Sequence, residues 1–497
     1  MNTLLNIFST QTFSEWFASI FTQPNGELLF TQLQFWLVFV FFMAFYLLTL
    51  HSSKRWVMLS YTLAFNLFFA WKISSWSMIV LPATILLTWL ITELMRQTEG
   101  KGKRWLLVAD IVMTLFPLVI FKYTNMCITG INQLLHSNFP IIQVVIPVGI
   151  SFYTLQALSY AIDVYKGRFT MQVSLLEYAF YLTFFPLLLA GPITRADVLI
   201  PQIKSPARPD DKVVYTGMWL IIIGLLKKCL FADYIAIYNN WIFEDPTGYT
   251  GFETLVAMFG YIIQIYYDFS GYSDISIGIS AILGFQLKDN FDFPLKSTNL
   301  TQFWRKWHIS LSSWVRDYIY IPMGGNRHGK WRMCLSLIVA MTIAGLWHGA
   351  NLTFIIWGLL NGLVLVAHKL LKPWLDKIPD NWAVNALCWI LTITFISLTM
   401  AFFGAVNIHE SFIILKHGFS TFDIAYSIPF LQTRTLWVAF VIGGLTLHLT
   451  SGLWYEKTKR YFIEAPWLIK ILIIIVAVQI IVNLSNEDIQ PFMYMQF

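Results

Sequence analysis

Long apolar segments alternate along the chain with short polar connections that carry most of its lysine and arginine residues. Most of these segments are about 17–25 residues long, which is the length that an α-helix needs to cross the hydrocarbon core of a bilayer. The pattern therefore predicts an all-α polytopic membrane protein with roughly 11–13 transmembrane helices, together with re-entrant and interfacial helices. The predicted spans lie near residues 28–50, 56–71, 75–95, 105–121, 143–165, 213–235, 252–285, 333–348, 351–371, 383–406, 433–453 and 467–485.

The segment 252–285 is unusual because polar residues lie in the middle of its apolar run. Asp268 and Asp274 flank Gly271 there. A charged side chain is costly inside a bilayer, so we expect the helix either to break at this point or to face a cavity lined by protein. The two aspartates would then be either caps of the helix break or polar walls of a substrate tunnel.

The segment 303–320 is amphipathic and too charged to cross the membrane. On a helical period of 3.6 residues, its tryptophans share one face and its basic residues share the other. We therefore predict a helix that lies flat in the interface or enters part-way from the inside. The apolar face holds Trp304, Trp307, Leu311 and Trp314, and the polar face holds Arg305, Lys306, Ser310, Ser313 and Arg316.

Composition agrees with the membrane prediction, and the distribution of charge sets the orientation. The chain is 57% hydrophobic and only 12% charged, which is far from a soluble composition. Residues 1–53 contain no lysine or arginine, so we expect the N-terminus outside and no signal peptide. We predict a short interfacial helix within 1–27 and a single membrane domain over 28–497, with the basic connections 96–104 and 288–332 inside.

Two histidines in apolar surroundings are the leading functional candidates. The run 333–347 has no charged side chain and ends directly before His348, while His308 lies at the edge of the aromatic face described above. An ionisable side chain in or beside such a run is a functional candidate by default. Alone, His348 is as readily explained as a helix-end residue, and His308 is more readily explained as an interfacial residue. The cysteines show no C-x-x-C spacing and two histidines make a poor zinc site, so we expect no metal.

The ordered motifs around these histidines resemble the membrane-bound O-acyltransferase (MBOAT) family, in the bacterial branch that contains the alginate and peptidoglycan O-acetyltransferases and the teichoic-acid D-alanyl transfer protein. The resemblance covers roughly residues 140–365. It rests on PVGISFYTLQALSYAIDVYKG at 147–167, FFPLLLAGPITRADVLIPQI at 184–203, DFSGYSDISIG at 268–278 and FWRKWHISLSSWVRDYIYIP at 303–322, followed by the segment that ends in His348.

The resemblance implies a fold, an activity and roles for individual residues. It makes His348 the family's defining histidine and His308 its second site, with the helices arranged around a central tunnel. Moving an acyl group from a thioester to a hydroxyl requires a group that takes the hydroxyl proton, and a neutral histidine suits this role. The expected donor is acetyl-CoA or an acyl carrier protein, and we expect no bound cofactor.

Further residues are candidates for contact with the substrates. The basic groups Arg305, Lys306 and Arg316 would anchor the inner face or bind an anionic donor. The tryptophan stripe is typical of an interface anchor and core packing, but it is kept among the tunnel candidates. The tunnel candidates are Asp268, Ser270, Tyr272, Asp274, Trp304, Trp307, Trp347 and Asn351.

The expected acceptor is an extracytoplasmic polysaccharide reached from the bacterial inner membrane, and the expected acyl group is acetyl. Since no soluble domain fits between the spans, we expect a separate extracytoplasmic transferase partner, with membrane lipid around the protein and no nucleic acid. D-alanyl transfer to teichoic acid and a non-enzymatic acyl-group transporter or channel are the alternatives. A transporter favours matching broken repeats, and a glycosyltransferase favours a soluble nucleotide-sugar domain; neither feature is present.

Overall fold

The structure is a computed structural model that describes residues 28–50, 52, 54–142, 145–484 and 492. The described residues form helices joined by turns and irregular connections, with no β-strand among them. The prediction of an all-α polytopic membrane protein is confirmed. The interfacial helix predicted within 1–27 lies outside the described residues. The chain divides into two compact units, one up to Leu189 together with Arg195–Arg208, and one formed by Ala190–Thr194 and the chain from Pro209 onward.

The first unit is built from nine helices among its described residues. One of them, the helix Leu175–Thr183, has nine residues, which is too short to cross a bilayer. Ser174 caps it by accepting a hydrogen bond from the Glu177 N–H at 3.3 Å. The helices are α1 (Leu33–Leu50), α2 (Arg55–Ser74), α3 (Val80–Gln97), α4 (Gly100–Leu118), α5 (Thr124–Leu135), α6 (Ile150–Tyr165), α7 (Leu175–Thr183), α8 (Phe185–Leu188) and α9 (Ala196–Lys204).

The second unit contains the long helices that position both candidate histidines. Its described helices are α10 (Asp211–Leu226), α11 (Asp233–Glu244), α12 (Gly251–Ile282), α13 (Leu300–Lys306), α14 (Ile309–Val315), α15 (Gly329–His348), α16 (Leu352–Leu375), α17 (Trp382–Gly404), α18 (Ile408–Ser420), α19 (Ser427–Thr433), α20 (Thr435–Glu464) and α21 (Trp467–Leu484).

Paired glycines bring α10 and α12 into backbone contact. A Cβ atom added to Gly217 would lie 2.7 Å from the Gly278 carbonyl oxygen, and one added to Gly271 would lie 2.8 Å from the Gly224 carbonyl oxygen. Both distances are too short for a side chain, so these positions must be small for the two helices to pack this closely. The contact holds α12 in the interior of the second unit, where most of its residues are buried.

The helix α12 does not break at its polar residues. Of the two alternatives expected for 252–285, the helix break is therefore wrong. The helix runs without interruption from Gly251 to Ile282, because both aspartates are neutralised by lysines on a neighbouring π-helical turn, Lys227–Ala232. Lys228 Nζ lies 2.5 Å from Asp268, and Lys227 Nζ lies 2.6 Å from Asp274. The second expectation is confirmed for one side of this helix, which faces a cavity described below.

Each of the twelve predicted spans overlaps a helix of the structure. By length and apolar composition, five of the described helical segments are able to cross a membrane, or six if the bent pair Ile424–Thr433 and Thr435–Thr450 is counted as one span. Two further apolar helices, Leu33–Thr49 and Trp467–Asn483, are shorter. The predicted number of 11–13 crossings stays a prediction.

Candidate active site

His308 lies at a sharp bend between α13 and α14. Its backbone has φ 43°, a left-handed conformation that a residue with a side chain seldom adopts. The bend is held by the nearby connection, because the Ile309 N–H donates to the Asn290 carbonyl at 2.9 Å and the Asp292 N–H donates to the Lys306 carbonyl at 3.0 Å. The single helix predicted over 303–320 is therefore wrong: these tertiary hydrogen bonds interrupt it and bury His308, which is 1% exposed.

The side chain of Asn290 holds the His308 ring. Asn290 Oδ1 lies 3.2 Å from His308 Nδ1, and it accepts hydrogen bonds from the Ser310 N–H at 3.1 Å and the Ser310 hydroxyl at 2.9 Å. Asn290 Nδ2 donates to the Ser273 hydroxyl on α12 at 3.2 Å. The imidazole is thus fixed to both the connection and the long buried helix.

His348 is the last residue of α15 and packs against aromatic side chains of α16 and α17. Its ring centroid lies 5.4 Å from that of Trp357 and 5.2 Å from that of Phe403. The helices α15 and α16 approach closely here, since a Cβ atom on Gly345 would collide with the Phe354 carbonyl oxygen. His348 is 4% exposed, so it is a buried imidazole in an apolar environment.

The structure brings the two predicted histidines into one cluster. The ring of Trp347 contacts both, with centroids 6.0 Å from His308 and 5.1 Å from His348. Burial lowers the pKa of His308 well below its ordinary value, and the neighbouring His348 lowers it further. His308, which lies outside the predicted spans, is therefore neutral across the physiological pH range.

A small apolar cavity adjoins His348. It encloses about 20 Å³, roughly the space that one water molecule requires. The indole N–H groups of Trp304 and Trp357 are buried in its walls and have no hydrogen-bond acceptor among the described residues. Its lining consists of Ile262, Ile265, Phe303, Trp304, Trp307, His348, Trp357, Asn361, Ile396, Met400 and Phe403.

A much larger cavity of about 910 Å³ lies on the other side of Trp307 and Asn290. It extends from exposed residues such as Lys212 and Glu456 to the buried side chains of Tyr266 and His448. Trp307 lines the small cavity and contacts two side chains of the large one, with its ring centroid 6.3 Å from that of Tyr266 and 5.3 Å from that of Phe291. The charged groups of its lining are Lys212, Lys227, Lys459, Asp274, Asp289, Asp292 and Glu456.

The tunnel candidates have different positions in the structure. Asp274 lines the large cavity, whereas Asp268 is engaged with Lys228 away from both cavities. Tyr272 is buried with its ring centroid 4.7 Å from that of Phe492, and Ser270 is buried on the same helix without lining either cavity. Asn351 caps α16 by accepting a hydrogen bond from the Thr353 N–H at 3.1 Å.

The three basic donor-binding candidates lie outside both cavity linings. Arg305 is exposed. Lys306 lies 3.5 Å from Asp292, and Arg316 lies 2.7 Å from Asp317. Pairs as exposed as these contribute little stability, so the three residues are available to a partner or a lipid headgroup at the surface.

Sequence reasoning missed four residues of this region. Asn290, Trp357 and Asn361 contact the histidines or line the small cavity, and none belongs to a recognisable spacing. His448 belongs to no motif of the sequence, yet it lines the large cavity and its Nε2 accepts a hydrogen bond from the Leu295 N–H at 3.1 Å. Among the described residues, no three His, Cys, Asp or Glu side chains are grouped as a metal site.

Two buried histidines in an aromatic cluster, next to a cavity large enough for a substrate, define a candidate enzyme site in a helical membrane protein. The chain belongs to the membrane-bound O-acyltransferase family, whose family model matches residues 65–405. That range contains both histidines, Asn290 and the whole lining of the small cavity. The chain is therefore a membrane O-acyltransferase, as its sequence predicted.

Curated relatives agree with this family. A protein of Pseudomonas putida named "Probable alginate O-acetylase AlgI" is 34% identical over 420 residues, which cover 80% of this chain and 85% of the relative. The peptidoglycan O-acetyltransferase of Helicobacter pylori is 33% identical, covering 73% of each chain. The teichoic acid D-alanyltransferase of Bacillus subtilis is 28% identical over 53% of this chain and 69% of its own.

Proposed function

We propose that the protein transfers an acetyl group from a cytoplasmic thioester toward hydroxyls of an extracytoplasmic polysaccharide, with His348 as the general base. The observation that carries the proposal is the position of His348: a buried imidazole that closes an apolar helix beside a second buried histidine and a small cavity. A positioned imidazole is the side chain most often used to take a hydroxyl proton in the transition state.

The reaction follows from this arrangement. The hydroxyl oxygen attacks the thioester carbonyl carbon, and His348 takes the hydroxyl proton as the new C–O bond forms. The C–S bond then breaks, and the proton passes from the imidazolium to the leaving sulfur. The products are an ester and a free thiol. Exclusion of water by the aromatic walls favours transfer to the hydroxyl over hydrolysis of the thioester.

The large cavity is the proposed entrance for the donor. Its rim is formed by Lys212, the connection 286–293 and residues 454–459, and from their basic residues we expect these segments on the cytoplasmic side. Its lining carries three lysines and four carboxylates, so positive and negative charges nearly cancel. Such an interior suits the uncharged pantetheine arm shared by acetyl-CoA and acyl carrier proteins. Phosphate groups of either donor would stay near Lys212 and Lys459 at the rim.

The acyl group reaches His348 only if side chains move, because the small cavity has room for about one water molecule. Trp307 is the side chain between the two cavities and is the proposed gate. Once inside, the thioester carbonyl can accept the hydrogen bonds that Trp304 and Trp357 leave unused. Such donors stabilise the negative charge that develops on the carbonyl oxygen during attack.

The acetyl group and the polysaccharide acceptor are proposed from the relatives. The two O-acetyl-transferring relatives cover about three quarters or more of this chain, whereas the D-alanyltransferase covers 53%. An extracytoplasmic transferase partner is part of the proposal, because the described helices follow one another with short connections and leave no room between them for a domain that holds a polymer. The proposed location is the bacterial inner membrane, where a cytoplasmic donor and an extracytoplasmic acceptor are both accessible.

The proposal is tested with membranes from cells that express the protein and from matched cells that lack it. Radiolabelled acetyl-CoA and a radiolabelled D-alanyl carrier-protein thioester are supplied separately, and alkali-labile label in envelope polysaccharide is counted. We expect acetate label only in membranes that contain the protein and only with donor on the cytoplasmic face. Label from D-alanine alone would make the proposed acyl group wrong, and label from neither donor would contradict the proposed function.

A further inference from the structure

The hydrogen bonds around Asn290 determine which nitrogen of His308 carries the proton. The Ser310 N–H is a backbone group that can only donate. It points at the Asn290 side-chain atom assigned as Oδ1, at 3.1 Å. The atom that accepts this bond must be the amide oxygen and not the amide nitrogen, so the orientation of Asn290 follows from the backbone and does not depend on where hydrogens are placed.

The same oxygen then fixes the imidazole. His308 Nδ1 lies 3.2 Å from Asn290 Oδ1. The Ser310 hydroxyl is a second neighbour of Nδ1, at 3.4 Å, but it donates its proton to the closer Asn290 Oδ1 at 2.9 Å. An amide oxygen only accepts, so Nδ1 is the nitrogen that carries the proton and donates to it. In a neutral imidazole the other nitrogen, Nε2, then has the lone pair. The burial of the ring favours the neutral form, and the chemical state of His308 is therefore a proton acceptor at Nε2.

The surroundings of His308 support this state. Phe269 of α12 presents its ring nearly perpendicular to the imidazole, with centroids 4.6 Å apart, and Trp347 of α15 covers another side. Among the described residues, His348 is a titratable group that faces it. On the elements around it, Asp268 of α12 is paired with Lys228, and Asp292 of the 286–293 connection is paired with Lys306.

We propose that Asn290 is a positioning residue that holds His308 as the Nδ1–H tautomer, so that His308 acts beside His348 by accepting a hydrogen bond at Nε2. This inference rests on the proposed function and adds a division of roles to it. A histidine held in this state cannot donate from Nε2 to the carbonyl oxygen, so stabilisation of that oxygen falls to other N–H groups such as the two indoles.

The first test changes the charge of Asn290 and keeps its acceptor. Asn290→Asp leaves an oxygen opposite Nδ1 but adds a negative charge, which raises the pKa of a neighbouring histidine by about one unit or more. We expect the acid limb of the pH–rate profile for label transfer from acetyl-CoA to move to higher pH by about that amount. Ser310→Ala is the matched control: it removes a neutral hydroxyl that lies 3.4 Å from Nδ1 and adds no charge, so its acid limb should move much less than that of Asn290→Asp.

A double variant assigns the shift to His308. When His308→Asn is combined with Asn290→Asp, the pH profile should equal that of His308→Asn alone. An Asn290→Asp profile that coincides with that of the unmodified protein would overturn the proposal, and so would an equal shift in the double variant, because the change would then act through another group.

The second test is independent of turnover and of any variant at position 290. Solid-state NMR of the full protein with ¹⁵N-labelled histidine, compared with His308→Asn to assign the signal, reports the tautomer directly. We expect a protonated Nδ1 and an unprotonated Nε2 at neutral pH; a protonated Nε2 would overturn the inference. A protein that shows the expected tautomer but transfers no acyl group from either donor would contradict the proposed function alone.

Discussion

The buried ion pair between Lys228 and Asp268 gives a strong test of how the second unit is held together. Lys228 is 2% exposed and Asp268 is 5% exposed, with their charged atoms 2.5 Å apart, and Asp233 lies 2.8 Å from the same ammonium group. Lys228→Met removes the cation and leaves the Asp268 carboxylate buried without its partner. Because an uncompensated buried charge is poorly solvated, we expect the variant to lose about 3–5 kcal/mol of unfolding free energy.

The expected loss of unfolding free energy comes from the burial of the pair. An exposed ion pair separates this effect from the removal of a charge alone. Lys372→Met removes one partner of the Lys372–Asp376 pair, which is 60% and 59% exposed, and it should cost at most about 0.5 kcal/mol. Adding Asp268→Leu to Lys228→Met removes the orphaned carboxylate and should recover most of the loss, since apolar replacement of both partners is often nearly neutral.

Thermal unfolding of the purified protein in detergent, followed by tryptophan fluorescence and size-exclusion chromatography, measures both effects. Each 1.4 kcal/mol corresponds to about a tenfold change in the folded-to-unfolded ratio, so the two single variants should be easily distinguished. If Lys228→Met and Lys372→Met were equally stable, the reasoning that Asp268 is a structural residue neutralised in the interior would be refuted.

Three further expectations follow from the site. Because burial lowers the pKa of His308 below the ordinary value of 6.5, the unfolded chain binds more protons than the folded protein below that pH. The contribution of His308 to stability should thus be full above about pH 6.5 and fall as the pH decreases. Between pH 7.5 and 5.5, the His308→Asn variant should lose less stability than the unmodified protein. An equal loss in both proteins would contradict the assignment of this pH dependence to His308. Trp357→Phe keeps an aromatic side chain but removes the indole N–H together with part of a buried ring, so kcat should fall by about 10²-fold while the unfolding temperature falls only modestly, and an unchanged kcat would exclude this donor. Charge reversal by Arg305→Glu or Lys306→Glu should raise KM for the donor more than for the acceptor, and unchanged donor kinetics would leave both residues as surface anchors.

The long apolar segments of the fold were predictable from the sequence because their signal is local. Each predicted span overlaps a helix, since about twenty apolar residues have few stable alternatives in lipid. The break predicted in 252–285 failed for a non-local reason: the lysines that neutralise its aspartates lie 40 and 47 residues away in the chain, at Lys228 and Lys227. No spacing rule connects residues so far apart.

Part of the candidate site was also predictable, because its signal is local in the sequence. His308 and His348 stood out because each is ionisable in apolar sequence, and the structure places both beside Trp347. Asn290 did not stand out, because its function depends on a bend at His308 that tertiary hydrogen bonds impose. Helical periodicity predicted a continuous helix across that bend, and it could not include contacts made by a connection outside the helix.

The central claim is that His348 takes a proton, and substitutions of this one residue test it most directly. His348→Ala and His348→Gln should both give a folded, membrane-inserted protein that has lost label transfer from acetyl-CoA, because neither side chain accepts a hydroxyl proton at neutral pH. If His348 were only a hydrogen-bonding helix end, glutamine would replace the bond and restore activity. Transfer by purified His348→Gln at close to the unmodified rate would contradict the mechanism.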